Sequence, residues 1–206
     1  MAFEYACFIS YRHSSDPRVQ KIYESFQREL AVQVGLYLPM QVYLDTSRLR
    51  GGDFFNKELA SALCNSICMI SLYIPYYFDA NNTYTAREYQ GMVNLEKQRL
   101  PSMPQAAQSK GLIIPIVIRG TLPDEITKER QFYKLDLMAP GDLRKPDSVK
   151  ALNQIAEDIY YRHEAFRMAG IDPCSHCEDF EFPTDNDVID WLTDITAPPQ
   201  RLPWRR

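Results

Sequence analysis

The sequence predicts a doubly wound α/β domain, a mainly parallel five-stranded sheet with helices on both faces. Two observations predict it. Short apolar runs alternate with longer segments of helical periodicity over residues 1–170, which is the order of repeated βαβ units. The runs are also nearly unbroken in apolar character, as strands covered on both faces require; a strand with one wet face would alternate.

The first run, YACFIS (5–10), reads as a buried strand. From Pro17 to Val34, the apolar residues Val19, Ile22, Tyr23, Phe26 and Leu30 recur at helical spacing. QVYL (41–44) is the second strand, and DFFNKELASALCN (53–65) a helix with Asp53 as expected cap and Phe55, Leu59 and Leu63 on one face. ICMISLYI (67–74) is the third strand and TYTAREYQGMVNLEKQ (83–98) the helix after it. LIIPIVI (112–118) is the fourth strand, in which Pro115 implies a ladder defect or an edge position. QFYKLDL (131–137) is a fifth, and residues 146–170 form a closing helix that ends at Gly170. The stretch from Leu100 to Lys110 reads as loop.

Residues 171–206 form a separate extension, acidic, then proline-rich, then basic. Val188, Leu192 and Ile195 fall on one helical face with Trp191 beside it, and Thr184 or Asp185 serves as cap. This predicts a short helix docked on the domain or on a partner.

A chain of 206 residues, 45% hydrophobic and 24% charged, can bury a sizeable core. Its net charge of -4, with no basic run before the final RLPWRR, argues against a nucleic-acid partner. No apolar stretch is long enough to cross a membrane, and the start MAFEYACFIS lacks a signal peptide's layout. The expectation is a cytoplasmic protein with no membrane partner. Cys7, Cys64 and Cys68 lie in or beside apolar runs and are expected as reduced, buried thiols. Cys174, His176 and Cys177, with His163, could ligate zinc, but their spacing fits no common zinc module, so no metal is expected.

In a doubly wound sheet, ligands bind beyond the carboxyl ends of the strands. Ser10, Tyr11 and Arg12 follow the first strand there, Asp45 and TSRLRGGD the second, and PYYFDANN (75–82) the third. None of these loops is a G-x-G-x-x-G or GKS/GKT phosphate cradle. Phospho-acceptor receiver domains share the layout but need an acidic pair after the first strand, where this chain has Ser10 and Tyr11. A Ser/His/Asp hydrolase is unsupported, since no G-x-S-x-G occurs.

ACFISYRHSSD, YLDTSRLRGGDFFNKELASAL, NSICMISLYIPYYFDANNTYTAREYQ and GLIIPIVI, in this order, resemble the four conserved regions of TIR (Toll/interleukin-1 receptor) domains, over about residues 4–135. The resemblance implies a flavodoxin-like sheet and one of two functions. The first is cleavage of NAD+ at the nicotinamide–ribose bond, giving nicotinamide and ADP-ribose or a cyclic product, as in stand-alone prokaryotic members of immune, anti-phage signalling. The second is a non-catalytic scaffold that acts by TIR–TIR assembly. By resemblance, Glu88 in YTARE would be the catalytic carboxylate, and Ser10, Tyr11, Arg12, Asp45 and Tyr84 would shape the substrate pocket. Tyr84 stands where the family commonly has tryptophan. NAD+ would be substrate, with no cofactor. Self-association through the BB loop (TSRLRGGD) and a separate activator or downstream effector are the implied partners.

Each residue also has a plainer reading. Thr85-Ala86-Arg87-Glu88 fits a capping box, with Glu88 turned back to its helix start. Ser10 and Tyr11 could simply end a strand, Arg12 could be a solvated loop residue, and Asp45 could cap a turn. Gly51-Gly52 could only supply turn flexibility. Most of Tyr73, Tyr76, Tyr77 and Phe78 is expected to be packing.

Overall fold

The computed structural model describes residues 3–45, 53–170 and 172–196, with helical side chains before Asn56 in the second helix excepted. The TSRLRGGD loop with Gly51-Gly52, the side chains of Asp53 and Phe55, and the terminal RLPWRR lie outside that description. The strands are β1 (Tyr5–Tyr11), β2 (Gln41–Leu44), β3 (Ser66–Tyr73), β4 (Ile113–Val117) and β5 (Tyr133–Lys134). The helices are α1 (Pro17–Gly35), α2 (Asp53–Cys64), α3 (Tyr84–Arg99), α4 (Gln105–Gln108), α5 (Asp124–Glu129), α6 (Pro146–Ala169) and α7 (Asp185–Thr196).

The strands form one parallel sheet in the order β2-β1-β3-β4-β5. The chain passes from β1 to β2 on one side and returns to place β3 on the other, so the carboxyl ends of β1 and β3 flank the topological switch point. α1 packs with α6, and α2 with α3. Tyr11 of β1 packs against Tyr23 of α1 while Ser10 of β1 bonds Glu88 of α3, so the two helix layers cover opposite faces. From Ala6 to Tyr11 every β1 residue is buried, and β3 is buried throughout. The unbroken apolar runs follow from that double cover.

Boundaries are set by local chemistry. α1 starts at Pro17 behind Asp16, whose carboxylate accepts from the Arg18 amide at 2.8 Å. α6 ends at Gly170, whose φ of 67° is the left-handed cap. Pro115 is inside an interior strand, not at an edge: β4 lies between β3 and β5. β5 pairs only with Ile116 and Val117, so the ladder on that side begins just past the proline, and the expected ladder defect is where it falls. The stretch expected as loop contains a 3-10 turn at Leu100–Ser102 and the short α4.

A buried ionic staple joins α3 to the start of β4. Arg130 donates to both Glu96 carboxylate oxygens, at 2.8 and 2.7 Å, and its Nε donates to the Tyr89 hydroxyl at 2.8 Å. Glu96 Oε1 also accepts from the amides of Leu112 and Ile113. Gly111, at φ 61°, leaves the room: a Cβ there would stand 2.7 Å from that same oxygen. Arg162 of α6 holds the turn from the other side, donating to the carbonyls of Gly111 and Lys110 at 2.8 and 3.0 Å.

The extension folds back on α3. α7 buries Val188, Leu192 and Ile195, as its periodicity predicts. Trp191 stacks on Tyr89 at 5.5 Å and meets Phe78 edge-on at 5.2 Å. Thr184 acts as cap, with its amide and hydroxyl both donating to Asp187 at 2.7 Å. One expectation is corrected. Cys64 is not a reduced thiol but is joined to Cys177 in a disulfide across 113 residues of sequence. The spacing pattern missed it because a pairing over that separation depends on where the tail docks. Cys7 and Cys68 are free and buried, as expected.

The staple yields a stability prediction. Truncating one partner of a buried, fully bonded ion pair strands the other charge, which costs about 3–5 kcal/mol. Glu96→Ala is therefore expected to lower unfolding free energy by about that amount, read by urea denaturation followed by far-UV circular dichroism.

Candidate functional site

The site is built on alternation along β1. Side chains of a strand point to opposite faces in turn, so Ser10 and Arg12 share one side and Tyr11 and His13 the other. On the α3 side, Ser10 Oγ donates to Glu88 Oε2 at 2.5 Å and lies 2.6 Å from the Tyr77 hydroxyl. A serine hydroxyl has one proton, so while it donates to the carboxylate it accepts from Tyr77. The chain of donors runs Tyr77 to Ser10 to Glu88. Ser10 and Glu88 are 0% and 1% exposed.

This arrangement removes the capping-box reading of Glu88. The cap of α3 is Thr83, and Thr85 donates its hydroxyl to the Tyr77 carbonyl. Glu88 reaches across to β1 instead of back to its own helix start.

Arg12 continues the same side. Its Nη2 pairs with Asp79 at 3.1 Å, while its Nη1 is buried with no hydrogen-bond partner. Asp79 is held in turn by the Asn81 amide at 2.9 Å. Arg12 is thus a part-buried ion-pair member tied to the loop after β3, not a solvated loop residue.

Tyr11 lies on the α1 side. It is fully buried, stacks on His13, packs against the tilted ring of Tyr23 at 4.7 Å, and donates its hydroxyl to the Asp45 carbonyl at 2.5 Å. Asp45 is 3% exposed. Both pin the ends of β1 and β2 together, and neither is brought to the Glu88 side by the contacts described. Tyr84, the first residue of α3 and half-exposed, lines a cavity of about 480 Å³ with Asn82, Arg87, Asp185 and Ile189.

Of the aromatic run, Tyr73, Tyr77 and Phe78 are buried and Tyr76 is exposed. Sequence reading did not single out Asp79. The available signal was its Asp-Ala-Asn turn, in which the carboxylate caps the next amides.

Other chemistry is less well provided. Burial pushes the Cys68 thiol up to about 12 and the Cys7 thiol well above its ordinary value, so neither is a thiolate nucleophile. Among the described residues no group of histidine, cysteine and carboxylate side chains could hold a metal ion. A cavity of about 600 Å³ lies at the amino end of β4 among Glu96, Lys110, Arg130, Asp158 and Arg162. Its charges are bonded to one another or to backbone. A third cavity, about 410 Å³, opens at the carboxyl ends of β3 and β4 on the α1 side, between Val19, Tyr23, Ile74 and Ile118. Glu88 lines none of these three.

No helix among the described residues is long and apolar enough to cross a membrane. No protein-family model matches this chain, and neither does any curated protein or solved structure.

Proposed function

We propose that the chain is a TIR-type NAD+ glycohydrolase or cyclase, with Glu88 as the catalytic carboxylate and Arg12 as a phosphate-binding group. One observation carries the reading: a carboxylate from α3 meets the end of β1 beside the switch point, bonded through Ser10 at 2.5 Å.

The chemistry needs only one acid group. In NAD+ the nicotinamide is already cationic, so the C1′–N1 electron pair leaves with a neutral ring and no general acid is needed. Charge develops on the ribose as an oxocarbenium-like ion. A carboxylate that accepts hydrogen bonds from the ribose hydroxyls stabilises that charge. Water, or a nitrogen of the adenine, then closes the anomeric carbon to give the linear or cyclic product. The unpartnered Nη1 of Arg12 suits a phosphate oxygen, since guanidinium bonds to anions are the stronger class. In this reading the protein works in the cytoplasm, in immune signalling, self-associates, and answers to a separate activator or effector.

A second reading, a non-catalytic TIR scaffold, is favoured by the burial of Glu88 at 1% exposure. The two separate cleanly in the test tube. Concentrated wild-type protein is expected to release nicotinamide from NAD+, and Glu88→Gln to lower that turnover by about 10²-fold or more with folding intact by circular dichroism. Equal rates for wild type and variant would leave the scaffold reading. Arg12→Ala is expected to raise KM by roughly tenfold with a smaller change in kcat, since one charge-assisted bond to a ground-state phosphate is lost.

A further inference from the structure

Arg99, at the end of α3, is 4% exposed, and among the described residues no carboxylate pairs with it. Its Nη2 donates to the carbonyls of Cys64 and Pro173 at 2.7 and 2.8 Å, and its Nη1 is buried without a hydrogen-bond partner. The same Nη2 lies 3.3 Å from Cys64 Sγ and 3.7 Å from Cys177 Sγ. Burial pulls the guanidinium down to about 10, the direction expected of a cation that lacks its counter-charge. A buried cation set against a disulfide, with the Phe3 ring at 5.5 Å and two carbonyls but no carboxylate as partners, is costly while the bond is closed. It gains an anion once the bond opens.

We propose that the Cys64–Cys177 bond is a thiol–disulfide exchange site, reversibly modified by a dithiol, with Arg99 positioned to hold the departing thiolate. Cys64 lines a cavity of about 320 Å³ with Arg99, Pro173, Ser175 and His176, which gives a small thiol its approach. A thiolate of the dithiol attacks Cys64 Sγ. The S–S electron pair passes to Cys177, which leaves as a thiolate beside Arg99. The dithiol's second sulfur then attacks the mixed disulfide, closing to its own oxidised form and freeing Cys64. Two electrons and two protons move from the dithiol to the protein. A leaving thiol of lowered pKa departs faster, and the nearby cation lowers it. Cys174 is free and half-buried, with its thiol pushed up to about 11 by burial, so it stays protonated while the bond is exchanged.

The bond state bears on α7. Closed, the covalent tether leaves only residues 178–184 between its anchor and α7; open, the covalent connection runs from Gly170 and roughly doubles, with the Arg87 bond to the Pro183 carbonyl at 2.7 Å still in place. For a flexible connection a doubling of length weakens docking about threefold, which sets the upper bound here. This inference is independent of the nucleotide reading and needs no enzyme activity to test.

The test uses native full-length protein and dithiothreitol. Alkylation and peptide mass mapping should show Cys64 and Cys177 becoming modifiable without denaturant, and Arg99→Met should slow opening by about tenfold, with Arg99→Lys restoring most of the rate. Amides of 185–196 should exchange with deuterium faster after reduction, by up to about threefold. Should Arg99→Met fail to fold, Cys64→Ser carries the test: its Cys177 thiol is expected to titrate below an ordinary cysteine in the pH dependence of iodoacetamide labelling. A bond that dithiothreitol opens only in denaturant, a Cys177 thiol at or above the ordinary value, Arg99→Met opening as fast as wild type, or unchanged α7 exchange would each overturn the proposal.

Discussion

The interior strand β1 has no wet face, and that constraint organises the polar groups at its carboxyl end. Covered by α1 on one side and α3 on the other, β1 must find internal partners for every polar group it carries. Ser10 finds Glu88 and Tyr77, and Tyr11 finds the Asp45 carbonyl. Because successive side chains alternate, the two solutions fall on opposite faces of one sheet. One side of the switch point becomes a hydroxyl–carboxylate network continued by Arg12 and Asp79. The other becomes an aromatic cluster of Tyr11, Tyr23 and His13.

Buried charges separate into two kinds. Glu96 and Arg130 satisfy one another with two bonds, and the tyrosine and amide contacts around them complete the set. Such a group reads as architecture, fixing the turn at Gly111 against α3. Arg12 and Arg99 differ, because each keeps a buried Nη1 without a hydrogen bond. An unsatisfied buried donor costs about 1–3 kcal/mol and more when charged. Stability alone gives no reason to retain that cost at two positions. One arginine follows Ser10 of the Ser10–Glu88 pair in sequence, and the other lies against a disulfide.

The sheet was legible because its signal is local. β2 matches its predicted span from Gln41 to Leu44, and α6 ends on Gly170 as read, since apolar runs and a left-handed glycine are properties of short segments. β5 shrank from a predicted seven-residue run to Tyr133–Lys134, because edge pairing depends on a neighbour rather than on its own pattern. The site was legible only in part. Glu88 and Ser10 were named separately, and the fold brings them within a hydrogen bond. Tyr11 is grouped with them by the family resemblance, and strand alternation sends it to the opposite face. Asp79 and the Cys64–Cys177 pairing were missed because each joins segments distant in the chain.

Residues 75–82 link these features into one mechanical unit. Tyr77 closes over Ser10 and Glu88, Asp79 holds Arg12, and Phe78 between them packs edge-on against Tyr89 and Trp191. The Tyr77 carbonyl is bonded to Thr85 on the first turn of α3, and Thr83 on the same helix start is bonded to Asp185 at the start of α7. Residues 77–79 are therefore packed into the tail helix through the Phe78 contact with Trp191 at 5.2 Å. A conformational step at such a contact acts through packed elements with alternative arrangements rather than through flexible loops alone. Helix α7 is in this sense part of the wall of the site, although none of its residues touches Glu88 through the bonds described.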